Sequence, residues 1–274
     1  NGILGEMKLM AVDPVYIDDM QLYPDVSGRS VKVKMKILNH THKPVTGKAA
    51  FTISGNSYDL NKEITVSGND SVFYVEDVIA LGKNVRLWDE FTPNLYTLQC
   101  DLTIRADNAN YQHSRSTTFG MREITADKDK IYLNGNRIHL RGTVENAVFP
   151  KTGYAPVDDA SWERVLTILK DYGMNHMRFH SFCPPEAAFI AADLVGFYLQ
   201  PEGPSWPNHG VKLGNGMYID RYLMEETQRM NKAYGNYASF CMMACGNEPA
   251  GNWVAWVSDF VDYWKKTDSR HVYT

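Results

Sequence analysis

The chain has little cysteine, no long apolar run and no surplus of positive charge. Of its 274 residues four are cysteine, Cys100, Cys183, Cys241 and Cys245, and no two stand in a Cys-x-x-Cys pair. That excludes zinc ribbons and thiol redox motifs. Cys241 and Cys245 lie along one expected strand and cannot easily bridge each other, and all four read as small core hydrophobes. No stretch approaches the ~18 consecutive apolar residues of a membrane-spanning helix. A formal net charge of −4 gives neither nucleic acid nor an anionic membrane a bulk attraction to bind by. There is no Walker-type loop, no Gly-x-Ser-x-Gly elbow and no internal repeat. His40 and His42 form an isolated His-x-His without a third ligand, so no metal is expected there, and nothing calls for a cofactor. No signal peptide is visible at Asn1-Gly2-Ile3-Leu4-Gly5, and the chain reads as cut at both ends; for a bacterial source, secretion or the periplasm would be favoured.

What is present is ordinary globular composition, 44% hydrophobic and 22% charged, enough for more than one core. The first part alternates with period two. Val31, Val33, Met35 and Ile37 share one face and Lys32, Lys34 and Lys36 the other, the pattern of a half-buried antiparallel strand. Similar segments follow near residues 49–53, 71–78, 95–104 and 111–119, separated by Gly/Asn/Asp/Ser clusters, and together they predict a β-sandwich. Asn39-His40-Thr41 and Asn69-Asp70-Ser71 are glycosylation-type triplets of a kind frequent by chance.

The period changes after Asn134-Gly135-Asn136. Strands are expected over 138–142, 175–180, 197–202 and 239–246, and helices over 161–172, 185–195 and 219–234, each helix followed by Gly173, Gly196 or Gly235. Trp253, Trp256, Val257, Phe260, Val261 and Trp264 line a fourth helix, and His271–Thr274 could open a fifth strand. Strands alternating with helices imply a parallel sheet. About 133 residues remain after Arg141, roughly half of the ~250 that a (β/α)8 barrel takes. The expected division is 1–121 for the sandwich and 122–274 for the half-barrel.

Side chains at the C-terminal ends of barrel strands point into the active-site mouth. The apolar run Phe240–Cys245 leads straight into Gly246-Asn247-Glu248-Pro249. A carboxylic acid there can protonate a leaving oxygen and an amide can hold a neighbouring hydroxyl, which is what glycoside cleavage needs. Arg178 and His180 alternate with Met177 and Phe179, so they face the barrel axis if the apolar pair packs on the helices; His176 lies deeper and reads as structural. Glu202 ends the third strand, Glu145 and Asn146 follow the first, and Trp206 has a ring suited to a sugar face. Glu145, Asn146, Arg178, His180, Glu202, Trp206 and Asn247 are the candidate substrate-binding residues.

Trp88 with Pro93-Asn94-Leu95-Tyr96, Phe119-Gly120-Met121-Arg122, Leu133-Asn134-Gly135, Leu140-Arg141-Gly142, Gly173–Arg178, Ala192–Phe197 and Gly246–Pro249 occur in an order that resembles glycoside hydrolase family 2. The resemblance implies an immunoglobulin-like sandwich followed by the first half of a catalytic barrel, and a retaining mechanism with two glutamates. Glu248 matches the general acid/base, Asn247 the amide on the substrate's 2-hydroxyl, and Arg178 the cation beside the nucleophile. The nucleophile itself is implied beyond residue 274, so the chain alone is expected to be inactive. The metal-binding positions of β-galactosidases are not recognisable in Gly203-Pro204-Ser205-Trp206, so no metal is implied. The implied partner is an oligo- or polysaccharide losing terminal sugars, and the open half-barrel edge suggests a homo-oligomer. A non-catalytic carbohydrate-binding or interaction protein of the same architecture is the alternative.

Overall fold

The computed structural model describes residues 5, 7–55, 58–206 and 210–274. The chain divides into two compact units. The first gathers Glu6–Trp88 and Asn94–Arg122; the second takes Asp89–Pro93 with Glu123–Thr274.

The first unit contains two antiparallel sheets. In one, β2 (Ser30–Asn39) lies between β1 (Val15–Asp25) and β5 (Val72–Ala80). In the other the order is β4 (Tyr58–Gly68), β3 (Val45–Gly55), β6 (Leu95–Ala106), β7 (Ala109–Gly120). Val31, Val33, Met35 and Ile37 are buried in one apolar core with Ala49, Phe51, Ile53, Leu98, Cys100 and Leu102. The lysines between them turn outward, where Lys32 and Lys34 both pair with Glu76. Such exposed pairs contribute little stability. The Tyr96 hydroxyl accepts from the Arg86 N–H at 2.7 Å, and the buried Trp88 donates its backbone N–H to Met121 O at 2.9 Å. Asn39 is 1% exposed, and its amide donates to Lys43 O at 2.8 Å. Its sequence triplet is therefore a hydrogen-bonded turn and not an accessible modification site.

The second unit opens with the antiparallel strands β8 (Ile124–Asp127), β9 (Lys130–Leu133) and β10 (Asn136–Ile138). Asn134 and Gly135 join the last two with φ of 52° and 76°, the left-handed pair that a tight hairpin requires. The chain then alternates: β11 (Gly142–Glu145), α1 (Asp159–Asp171), β12 (His176–Phe179), α2 (Glu186–Val195), β13 (Tyr198–Gln200), α3 (Tyr218–Tyr234), β14 (Met242–Met243), α4 (Trp253–Thr267), β15 (Val272–Tyr273). Strands β11, β12 and β13 pair in parallel. Parallel bridges Leu199↔Phe240 and Glu202↔Ala244 continue the array to β14, which pairs in parallel with β15. The strand expected over 138–142 is displaced: Ile138 belongs to the hairpin, and the first parallel strand starts at Gly142.

Each helix follows from its local chemistry. The Asp158 carboxylate caps α1 by accepting from Ser161 N at 2.9 Å, and Gly196, at φ 74°, ends α2. Lys170 reaches from α1 to donate to the Val195 and Glu90 carbonyls at 2.7 and 2.6 Å. This satisfies carbonyls that a helix end leaves bare. Burial lowers the Lys170 pKa against the attraction of Glu90. Met177, Phe179, Leu199, Phe240, Met243 and Tyr273 share one apolar core with Trp162, Leu166, Phe189, Phe260 and Trp264 of the helices. Alternation along a strand then sends His176, Arg178, Tyr198 and Gln200 to the opposite face.

Candidate active site

Strand β14 leaves the array beside the segment that follows β13. Gly203 donates to Ala244 O at 2.9 Å and Asn247 N to Ser205 O at 2.8 Å. Gly246 sits at φ 153°, and a Cβ there would meet Ser205 O at 2.5 Å. Only glycine tolerates both that conformation and that approach. Two residues later Glu248 takes φ 44°, an uncommon value for a side-chain-bearing residue and one that recurs where a fold presents chemistry.

Three side chains interlock at this corner. Arg178 Nε donates to Glu202 Oε1 at 2.5 Å, and its terminal nitrogen donates to Asn247 Oδ1 at 2.6 Å. The other oxygen of Glu202 accepts the Ser181 backbone N–H at 2.8 Å, which is available because Ser181 adopts φ 63°. Glu202 is 1% exposed, so its charge is neutralised internally by Arg178. A guanidinium has only donors, so it fixes the amide of Asn247 with oxygen inward. The Asn247 Nδ2 is left buried without a partner among the described residues.

Glu248 lies exposed above this set. Its Oε2 accepts from Trp206 Nε1 at 2.7 Å. The Trp206 indole meets the His180 ring edge-on, centroids 4.6 Å apart and planes at 80°. His180 Nδ1 lies 3.2 Å from Ser181 Oγ.

Glu248, Asn247, Arg178, His180, Glu202 and Trp206 therefore converge. Glu202 does so from beneath, as the buried partner of Arg178, and not as the sugar-touching group expected. Glu145 and Asn146 do not join. The register pairs Val144 with Arg178 and Glu145 with Phe179, which puts Glu145 on the helix side. There it accepts from Val148 N at 3.3 Å, and burial raises its pKa against these local backbone donors. Asn146 is exposed in the following loop. Sequence reading missed Ser181 and Ser205. Both act through backbone atoms, and nothing in a serine codon announces a left-handed φ or a carbonyl that crowds a glycine. Deeper on the same face is His176, 8% exposed, with its pKa held down to about 4 by burial and, to a lesser extent, by Arg178. Cys245, just before Gly246, has its thiol pushed up to about 11 by burial and is no nucleophile at neutral pH.

Among the described residues no three His, Cys, Asp or Glu converge as a metal site. A depression of about 530 Å³ lies elsewhere, in the first unit, lined by His40, Lys43, Asp107 and Tyr111 among others. It holds none of the interlocked carboxylates, and the corner around Glu248 carries the stronger chemistry.

Residues 15–122 match the family described as Glycosyl hydrolases family 2. The chain is 26% identical over 215 residues to a β-galactosidase of Thermoanaerobacterium thermosulfurigenes, a match covering 75% of this chain and 29% of that protein. Residues 15–122 thus resemble glycosyl hydrolase family 2 by the family model, and the longer match extends that likeness over three quarters of the chain. Its fold is similar to that of a family 2 member from Bacteroides cellulosilyticus, with a TM-score of 0.77 and 20% identity over 96% of this chain and 36% of the other. It is also similar to that of a Bacteroides uniformis β-glucuronidase, with a TM-score of 0.73 and 19% identity over 96% and 34%. The chain thus spans only about a third of the length of these relatives.

Proposed function

We propose that this chain supplies the acid/base half of a retaining glycoside hydrolase that removes terminal sugars from oligo- or polysaccharides. On this reading the first unit is the immunoglobulin-like sandwich, and the parallel array β11 to β15 with its helices is the first half of a (β/α)8 barrel. Glu248 is the general acid/base. Its proton passes to the glycosidic oxygen as that oxygen leaves the anomeric carbon, and the carboxylate formed then takes a proton from the attacking water. A second carboxylate, which the family resemblance implies beyond residue 274, holds the sugar covalently between the two steps. The 274-residue chain by itself is then not expected to turn over glycosides.

The observation that carries the reading is the interlock at the strand ends. Arg178 holds the Asn247 oxygen inward, so the only hydrogen-bonding capacity the amide has left is its N–H. A sugar hydroxyl beside the cleaved bond is an acceptor for such a donor, and bonds of that kind strengthen as charge develops at the anomeric carbon. His180 and Trp206 border the same corner and would meet the sugar ring, whose apolar face suits the exposed indole.

The test uses the enzyme that carries this chain. Glu248→Gln should slow glycosides with poor leaving groups by about 10²–10⁴-fold, the usual contribution of a placed general acid. Aryl glycosides with activated leaving groups need less protonation and should keep most of their first-step rate. Equal loss on both substrate types would remove Glu248 from the role.

A further inference from the structure

We infer that Trp206 is a positioning residue that decides which oxygen of Glu248 carries the transferable proton. The inference rests on Glu248 being the acid/base. An indole nitrogen is a donor and never an acceptor. With Trp206 Nε1 at 2.7 Å, Oε2 already receives a hydrogen bond. A proton placed on Oε2 toward the indole would face another hydrogen, so the acid form carries its proton on Oε1. The proton then leaves from Oε1 to the glycosidic oxygen while Oε2 stays tethered, and water returns a proton to Oε1 in the second half-reaction. The carboxyl group need not rotate between the two steps.

The tether is itself held. The indole rests against His180, and His180 bonds the Ser181 hydroxyl. The Ser181 N–H ends on the buried Glu202, the carboxylate that also anchors Arg178 and through it Asn247. Acid/base and amide thus share one buried anchor. Glu248, at φ 44° and exposed, would otherwise be free to sample other rotamers. Trp206 is 53% exposed, which leaves area for contact with a sugar. Stacking uses the ring and positioning uses the N–H, so the two can be separated by substitution.

Trp206→Phe keeps a flat ring and deletes the donor. In the enzyme that carries this chain, it should lower kcat for poor-leaving-group glycosides by about tenfold, a fraction of what a placed general acid supplies. Activated aryl glycosides should change by less than about threefold, with KM nearly constant for both. Trp206→Ala should add a rise in KM. In a ¹H–¹⁵N spectrum of the 274-residue chain, the Trp206 indole signal, identified by its loss in Trp206→Phe, should move on Glu248→Ala. A selective Glu248→Gln combined with an unselective Trp206→Phe overturns this inference alone, as does an indole signal indifferent to Glu248→Ala. A Glu248→Gln enzyme that loses both substrate types equally overturns the acid/base assignment and this inference with it.

Discussion

Single residues at the strand ends carry opposite demands. Gly246 has to be small, because Ser205 O occupies the place of a Cβ. His176 has to be neutral, because burial makes the imidazolium costly. Gly142 gives that ring its room: a Cβ there would lie 2.7 Å from His176 Nδ1. The pKa of His176 falls from 6.5 to about 4 on folding. The unfolded chain therefore binds a proton that the folded one refuses. The stability is fully present above pH 6.5 and is lost as pH falls toward 4. A depression of that size corresponds to roughly 3 kcal/mol across the window. His176→Gln, which cannot titrate, should flatten the stability profile between pH 6.5 and 4. Urea unfolding midpoints measured along that range check it, and a variant as acid-labile as the parent would assign the lability elsewhere.

At the scale of elements, many of the landmarks that carry the family resemblance are fasteners. Asn175 accepts from Arg141 N at 2.7 Å and donates to His139 O at 3.1 Å, locking the entry of β11 to that of β12. Arg141 pairs with Glu90 at 3.1 Å. Asp193, 2% exposed in the last turn of α2, accepts from Ser239 N at 2.7 Å and Ala238 N at 3.2 Å. It thereby sets where the chain turns into β14, the strand that delivers Asn247 and Glu248. Asp193→Ala removes the acceptor of the buried Ser239 N–H and should cost about 1–3 kcal/mol. A fall in the denaturation midpoint at unchanged m-value would measure it; a neutral effect would mean that water reaches Ser239. Such fasteners are legible as motifs without revealing what they fasten. The alternating strands around Val31–Ile37 were equally plain, because one face is dry and the other wet. Strand β1 was hidden by a bulge between Ile17 and Asp19: Val15 and Ile17 are buried, then Met20 and Leu22, so the period breaks mid-strand. Strand β4 escaped because it is a sheet edge and carries Asp59, Asn61, Lys62 and Glu63 with no clean apolar face. Within the site, Asn247, Glu248 and Arg178 could be read from position along their strands. The burial of Glu202 and the outward turn of Glu145 could not, since both depend on register, which a one-residue shift inverts.

For the whole molecule, the parallel array has two ends. Among the described residues β11 pairs only with β12, and β15 only with β14. The strand within residues 239–246 is therefore an interior strand, flanked by the segment of β13 and by β15. The ends differ in kind. At β15 two residues are paired, and the Thr274 N–H is already spent on Met243 O. At β11, Val144 is 51% exposed, and the segment that follows adds Val148, Tyr154 and Val157, all exposed. An unpaired edge beside exposed apolar side chains is a template for another chain. Of the two ends of the array, β11 is the one where we propose two copies pair most readily by a two-fold arrangement. Light scattering behind a sizing column should give a mass that rises above the monomer with concentration. Val144→Lys places a charge on the edge strand, as natural edges do, and should lower that mass while far-ultraviolet dichroism stays unchanged. A monomeric mass at every concentration, or association indifferent to Val144→Lys, would show that β11 is not the face that binds.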